Sequence, residues 1–383
     1  MAAIPFHQMF LVVDLLLPAA ALTFLLPLNP IISSVFATSW TMAQLLLAPD
    51  EKRWALWPMA FVLLVMARTW WLNEMPHPAS GQDLLILVAS FLAATAVGKR
   101  RWPLLLALPL GILPVLISLI GPKPWTPNPL VGANQGAYLL GLILIIAIGW
   151  LCQKSKTWWV TATASSSAVL ALLLIWQTAS RAALLSCFLA IGFVFLRERA
   201  KRKEKTLPAI VLLTTISLVG LGIKQLIRPS TTGIPGLNPS SDLGRLLIGK
   251  CYLSLPLTGS NRFLYGVGFE RPKDFCHQLI NNGVADHAHN LYLQLWANTG
   301  ILGLLGLGFA IYLLVNKLRF TEDQLDPLLR RIGMAALVYT LLQGCFDISL
   351  LHWPVTQVFT GILLAIPFSK TSTTETDLVS QSN

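Results

Sequence analysis

Residues 136–151 read GAYLLGLILIIAIGWL, a run without a single charged side chain. An α-helix needs about twenty such residues to cross a bilayer, and apolar stretches close to that length recur along the whole chain of 383 residues. Hydrophobic residues make up 55% of the sequence and charged residues 12%, with a mean hydropathy of +0.65. The sequence therefore predicts an all-α, polytopic helical membrane protein.

Twelve candidate membrane spans emerge when the chain is read in windows of that length. The first lacks a basic flank and is longer than the apolar core of a signal peptide, so we interpret it as a retained span. The spans cover residues 9–28, 30–48, 54–72, 83–98, 102–120, 131–151, 158–177, 180–196, 207–223, 290–316, 331–347 and 353–368.

Basic residues orient these spans. Two loops on the predicted outer face contain one basic residue each, Lys123 and Arg181, and two others contain none. Since positively charged loops stay in the cytoplasm, both termini are predicted to be cytoplasmic. The net charge of +11 follows from this topology and does not indicate nucleic-acid binding. The predicted cytoplasmic segments contain 18 Lys and Arg residues at 49–53, 98–101, 152–157, 197–206, 317–331 and 369–383.

One connection, residues 224–289, is far longer than the others and lies on the predicted outer face. A loop of this length is usually functional. Residues 241–257 begin with a capping signal and continue with spaced apolar residues, which predicts a short helix on the membrane surface. Residues 266–269, GVGF, predict a tight turn rather than a nucleotide-binding loop, because no lysine follows.

Two cysteines, Cys251 and Cys276, lie in this loop, where the compartment is oxidising. A disulfide between them would stabilise the loop by roughly 3 kcal/mol. Two free thiols are the alternative, and the sequence leaves the choice open. Cys152, Cys187 and Cys345 lie in or beside spans, where small packing residues are expected.

Residues 286–290 read DHAHN and directly precede an apolar span. Histidines at a membrane boundary are often only interfacial side chains. Against that reading, His289 has Asp286 and His287 within one turn before it and Asn290 after it. A neutral imidazole in such a setting is suited to accept a proton from a hydroxyl group. His289 is therefore the candidate general base.

Four arginine positions bear on anion binding. Arg181 opens the span 180–196, where a cation adds to the positive end of the helix dipole until an anion binds. Snorkelling to the headgroups is the alternative, and it applies also to Arg68 in the third span. Arg245 is a second candidate, with an ion pair to Asp242 as its alternative, and Arg262 is a further loop candidate that solvation would also explain.

These motifs together resemble the O-antigen ligase and O-antigen polymerase family of bacterial envelopes. His289-Asn290, then nine residues, then Gly300-x-x-Gly303 is similar to that family's signature. The resemblance covers roughly residues 178–316 and rests on topology alone before them. Three further features follow in the order expected for the family: the helix start at 180–181, the segment around 245 and the turn at 266–269.

The resemblance implies an enzyme with a membrane architecture like that of the GT-C glycosyltransferases. Such an enzyme passes a glycan from undecaprenyl diphosphate to an acceptor hydroxyl, with inversion at the transferred sugar. It further implies that His289 is the catalytic base, with Asp286 or Asn290 orienting its ring. Arg181 and Arg245 would bind the diphosphate, because guanidinium groups make two-pronged contacts with phosphate oxygens.

Other implied substrate contacts are His287, Arg262 and Arg68. Neither a cofactor nor a metal is expected, because no Cys or His spacing predicts zinc and no carboxylate cluster predicts a divalent-ion cage. The acceptor would be the lipid A core or a growing glycan, and the products would belong to lipopolysaccharide or other envelope polysaccharides. The motif does not separate a ligase, a polymerase and an enzyme that glycosylates protein.

The resemblance also predicts the domain organisation of the chain and its cellular location. Residues 1–177 would form an amino-terminal transmembrane bundle, residues 178–368 the catalytic region with the periplasmic loop 224–289, and residues 369–383 a cytoplasmic tail. The protein would lie in the bacterial inner membrane with a periplasmic active site. The alternative function is transport of a small anion such as bicarbonate, which requires ionisable groups along the spans. Mid-span polar residues such as Asp14 and Gln44 are few and scattered.

Overall fold

The computed structural model describes residue 39 and residues 82–97, 102–120, 133–153, 157–178, 180–201, 242–269, 271–279, 287–320, 326–351 and 353–368. Every regular element within these ranges is helical. Two short 3₁₀ segments, Leu255–Thr258 and Ile366–Phe368, accompany the α-helices. The α-helices are α1 (Gln82–Val97), α2 (Trp102–Ile120), α3 (Ala133–Leu151), α4 (Trp158–Thr178), α5 (Arg181–Lys201), α6 (Asp242–Ser254), α7 (Ser260–Tyr265), α8 (Pro272–Leu279), α9 (Leu291–Phe320), α10 (Pro327–Gly344) and α11 (Pro354–Ala365).

Eight of the twelve predicted spans coincide with observed helices, namely α1 to α5 and α9 to α11. The spans predicted at 9–28, 30–48, 54–72 and 207–223 lie outside the described residues. The span predicted at 331–347 needs a correction, because α10 runs from Pro327 to Gly344. Asp326 caps its start by accepting a hydrogen bond from the Leu328 N–H at 2.8 Å. Asp347 therefore lies in the loop after the helix.

Helix α3 is the centre of the helical bundle. It packs against α2, α4, α5, α10 and α11, and nearly every residue from Gly136 to Trp150 is buried. A helix that is apolar on all sides is expected to be enclosed in this way. The Tyr138 hydroxyl hydrogen-bonds Thr340 of α10 at 2.8 Å and Thr360 of α11 at 2.9 Å. These bonds join three helices where water cannot satisfy a hydroxyl group.

Within the described residues, three helices are long and apolar enough to cross a membrane: α3, α4 and the Leu291–Arg319 part of α9. Helices α4 and α9 also expose large apolar side chains, among them Leu173 at 58%, Leu305 at 62% and Phe309 at 53%. A surface this apolar is typical of helices that face lipid. The total of twelve spans and the orientation of the loops remain predictions.

Helices α6, α7 and α8 form a cap, residues 242–269 and 271–279, over the first part of α9. The cap has a small apolar core of its own, to which Ile248, Tyr252 and Val267 contribute together with Ala297 of α9. A disulfide joins Cys251 of α6 to Cys276 of α8, with the two Cα atoms 6.0 Å apart. The structure thus decides the question that the sequence left open. Helix α6 also confirms the helix predicted over 241–257.

The turn at 266–269 docks against a kink in α9. Gly300 at the kink has φ of 64°, in the left-handed region that favours glycine. A break in a helix frees carbonyl groups in the turn before it. Here the Val267 N–H donates to the Ala297 carbonyl at 2.8 Å, and the Gly268 N–H donates to the Asn298 carbonyl at 3.0 Å. The first glycine of the Gly300-x-x-Gly303 motif therefore has a structural role.

Replacing Gly300 by alanine is expected to destabilise the protein by about 2 kcal/mol or more, because it combines an unfavourable φ with a backbone clash. The added Cβ would lie 2.5 Å from the Phe263 carbonyl oxygen and 2.6 Å from the Gly266 nitrogen. Thermal unfolding in detergent measures the effect. Gly306→Ala is the matched control in the same helix, since a Cβ there meets no atom within 4 Å. Equal transition temperatures for the two variants would contradict this role.

Candidate functional site

The site begins with the segment 287–290, which leads into α9. Asn290 caps that helix, since its Oδ1 accepts hydrogen bonds from the N–H groups of Tyr292 and Leu293, both at 3.0 Å. Its Nδ2 donates to the Cys345 carbonyl at 2.9 Å, which ties the start of α9 to the loop that follows α10. Because both ends of the amide are used in this way, Asn290 positions the backbone beside His289.

His289 has an uncommon backbone conformation, with φ of 50°. A residue other than glycine pays about 1–3 kcal/mol for such a position, and positions of this kind cluster at functional sites. The flanking contacts hold it there. The Ala288 N–H donates to Gln294 Oε1 at 3.0 Å, and Gln294 in turn donates to Asn298 Oδ1 at 3.3 Å. These contacts hold the backbone from which the His289 side chain extends.

The carboxylate beside His289 is that of Asp347. Nδ1 of His289 lies 3.7 Å from Oδ1 of Asp347, and the two side chains are 19% and 5% exposed. Asp347 lies in the turn after α10, where the Asp347 N–H donates to the Gln343 carbonyl at 3.0 Å. The Ser349 hydroxyl donates a hydrogen bond to Oδ2 of Asp347. Asp347 is thus held from two sides with its other oxygen directed towards the imidazole.

Asp347 is ionised at neutral pH. Burial raises its pKa, but His289, the hydrogen bond from Ser349, the charge of His287 and the Ile348 backbone together outweigh burial, so that the pKa lies below its usual value. A buried carboxylate of this kind can stabilise an imidazolium beside it. The pair therefore has the electrostatics required for proton acceptance by His289.

His287 stands next to this pair. Its ring centroid lies 4.2 Å from that of His289, with the two planes at 60°. One ligand atom from each of His287, His289 and Asp347 lies within 4.8 Å of the others. Two imidazoles and one carboxylate thus meet where α9 begins and α10 ends.

The arginines predicted to bind phosphate lie on separate elements. Arg245 is exposed on α6 of the cap. Arg262 on α7 is also exposed, and it donates to the Thr258 hydroxyl at 2.9 Å and lies 5.2 Å from the centre of the Phe275 ring. Arg181 is the first residue of α5, as predicted, and Ser180 precedes it as the cap that accepts from the Ala183 N–H at 3.4 Å. The Arg181 side chain, Asp286 and Arg68 lie outside what the structure describes.

Residues 166–308 match a protein-family model described as O-Antigen ligase. Over this stretch the chain is similar to the O-antigen ligase family. The matched O-antigen ligase region starts within α4, includes the cap and ends within α9, so it nearly coincides with the range 178–316 over which the motifs resemble this family. No curated protein matches the sequence. This match supports a role in glycan transfer at a membrane and does not favour anion transport.

Asp347 lies outside the matched O-antigen ligase region, and sequence reasoning missed both Asp347 and Ser349. A signal was present, because an acidic residue at the end of an otherwise apolar predicted span is costly and often functional. The span 331–347 ends on this residue. Only the fold shows that its carboxylate meets His289, which is distant in the chain. Nδ1 of His289 is buried, so the exposed part of the ring is the part that substrate can reach.

Proposed function

We propose that this protein, whose residues 166–308 match the O-antigen ligase model, transfers a glycan from undecaprenyl diphosphate to an acceptor hydroxyl at the periplasmic face. The observation that carries the proposal is the pairing of His289, which lies inside the region that matches the O-antigen ligase model, with a buried, ionised Asp347 from outside that region. The acceptor is the lipid A core or a growing glycan. The reaction is an inverting transfer that needs no metal.

In the proposed reaction the acceptor oxygen attacks the anomeric carbon while the bond from that carbon to the diphosphate oxygen breaks. The hydroxyl proton passes to His289, whose Nδ1 side faces Asp347, so that Nε2 is the accepting atom. The imidazolium that forms is stabilised by the carboxylate. In this arrangement Asp347 orients and stabilises the base, while the proton stays on His289.

The leaving diphosphate gathers negative charge as the bond breaks, and we assign Arg181 and Arg245 to meet it. Arg181 begins a helix, where the dipole adds to its charge. Arg245 projects from the cap, which packs on α9 directly after His289. His287, Asp286, Arg262 and Arg68 are proposed as further substrate contacts.

The experiment that tests this function measures transfer from a synthetic undecaprenyl-diphosphate glycan to an acceptor, with purified protein in detergent and a chelator present. Turnover with chelator supports the proposal. A strict need for an added divalent metal would contradict the proposal, because the arginines are proposed to neutralise the charge of the leaving diphosphate. In cells, loss of the protein should change envelope glycan on a gel, and the band pattern distinguishes lost polymerisation from lost attachment.

Exchanging Arg181 or Arg245 for lysine is expected to lower transfer about 10- to 100-fold. An ammonium group keeps the charge but cannot reproduce the two-pronged contact to phosphate. The KM for the carrier lipid should rise and kcat should fall. The contact to phosphate exists before the glycosidic bond breaks, and it strengthens while that bond is breaking. Arg319→Lys, at the far end of α9, is the matched control and should leave the rate unchanged. Equal rates for all three variants would remove the arginine assignment.

A further inference from the structure

We propose that His287, His289 and Asp347 form a binding site for a divalent transition-metal ion such as Zn²⁺, and that the ion inhibits the enzyme. These are the residues whose ligand atoms lie within 4.8 Å of one another. Two imidazoles and one carboxylate are a common donor set for zinc, which leaves a fourth position for water. Magnesium and calcium are poorly suited to it because they prefer oxygen ligands.

The distance between His289 and Asp347 fits a shared ion better than a hydrogen bond. Zinc binds nitrogen and oxygen at about 2.0–2.2 Å, so two ligands of one tetrahedral ion lie about 3.4 Å apart. Nδ1 and Oδ1 are 3.7 Å apart, which is too long for a hydrogen bond. Neither atom has a hydrogen-bond partner among the described residues, although both are buried.

The surroundings of Asp347 also favour a ligand at Oδ1. The Ser349 hydroxyl occupies Oδ2, which fixes the carboxylate plane and leaves Oδ1 directed at His289. Metal-binding carboxylates are normally held by a neighbouring donor in this manner. The backbone of the histidine segment is held too, by the bonds from Ala288 to Gln294 and from Asn290 to Cys345. The ligands are thus positioned before an ion arrives.

Inhibition follows from the electron pairs of the imidazole. A zinc ion on Nδ1 takes the lone pair there, so the neutral ring carries its proton on Nε2. That nitrogen is then a donor and cannot accept the proton of the acceptor hydroxyl. The inhibitory role of the ion rests on the proposed function, whereas zinc binding itself does not.

Binding is tested on the full chain in detergent after removal of metal with a chelator. Cys152 and Cys345 are exposed free thiols that also bind zinc, so the background protein carries Cys152→Ser and Cys345→Ser. Equilibrium dialysis against Zn²⁺ with elemental analysis should give one ion per chain. Co²⁺ should give the visible absorption of a site with nitrogen ligands.

The variants separate a built site from surface binding. His287→Ala and Asp347→Asn should each weaken zinc binding at least about 100-fold, and Ser349→Ala, which removes only the supporting donor, about 10-fold. Asp274→Asn, at an exposed carboxylate in α8, should bind zinc like the background protein. Thermal unfolding confirms that each variant is folded. Zinc retained at the same affinity by both folded His287→Ala and Asp347→Asn proteins would overturn the site.

Transfer assays test the inhibition separately. Added Zn²⁺ should stop transfer by the background protein at the concentration that fills the site, and chelator should restore it. Full transfer with the site filled would overturn the inhibitory role. A protein that binds zinc as expected but transfers no glycan under any condition would count against the proposed function and would still support the metal site.

Discussion

Replacing His289 by alanine is expected to reduce glycan transfer by about 10²–10⁴-fold, the usual contribution of a positioned general base. His289 contacts the acceptor hydroxyl rather than the diphosphate, so binding of the carrier lipid should be nearly unchanged. The loss should therefore appear in kcat and not in KM for the donor. The measurement is transfer from the synthetic donor together with a direct binding titration of the carrier lipid.

His77→Ala is the matched control for this experiment, because the sequence around His77 has no second histidine or neighbouring amide of the same kind. It should transfer at the wild-type rate. His287→Ala should be milder than His289→Ala, since His289 is the proposed base and its Nδ1 lies 3.7 Å from Oδ1 of Asp347. Robust turnover by folded His289→Ala protein would exclude a catalytic role for this residue.

The second large effect is expected for Asp347→Asn, which keeps the shape of the side chain and removes its charge. Without the carboxylate, the imidazolium formed on proton transfer is no longer stabilised, and the amide can favour the wrong tautomer of His289. We expect transfer to fall by about 10²-fold or more. Because the pKa of Asp347 lies below its usual value, the wild-type carboxylate stays charged throughout the neutral range. The asparagine variant should therefore be impaired at every pH in that range.

Ser349→Ala is the comparison for Asp347→Asn. It removes one hydrogen bond to the carboxylate but leaves the charge beside His289, so its effect should be only several-fold. Combining His289→Ala with Asp347→Asn should cost little more than His289→Ala alone, because residues that act as a unit are not additive. A full additive loss in the double variant would show that Asp347 acts independently of the base.

Much of the helical structure follows from local sequence. Length and apolarity predicted eight of the helices now described, and the capping signal at 241–257 predicted α6. These features could be read because each depends on neighbouring residues and on the thickness of a bilayer. The end of the span predicted at 331–347 was wrong, since hydropathy does not detect where backbone hydrogen bonds turn the chain out of a helix.

The candidate site was predictable only in part. The histidines and the residues around them stand together in the chain, so their grouping was visible in the sequence. The pairing of Cys251 with Cys276 was left open, because two thiols on one face need not meet.

By itself the sequence determined the all-helical, membrane-capable class of the described part of the chain and most of its helical segments, and it predicted His289 as the residue most suited to accept a proton. Only the tertiary structure decided which carboxylate lies beside that histidine. Asp347 reaches it because Asn290 binds the Cys345 carbonyl and brings the end of α10 to the start of α9. That contact joins residues 55 positions apart. Periodicity and composition report on neighbours along the chain, whereas a charge pair of this kind depends on how helices pack.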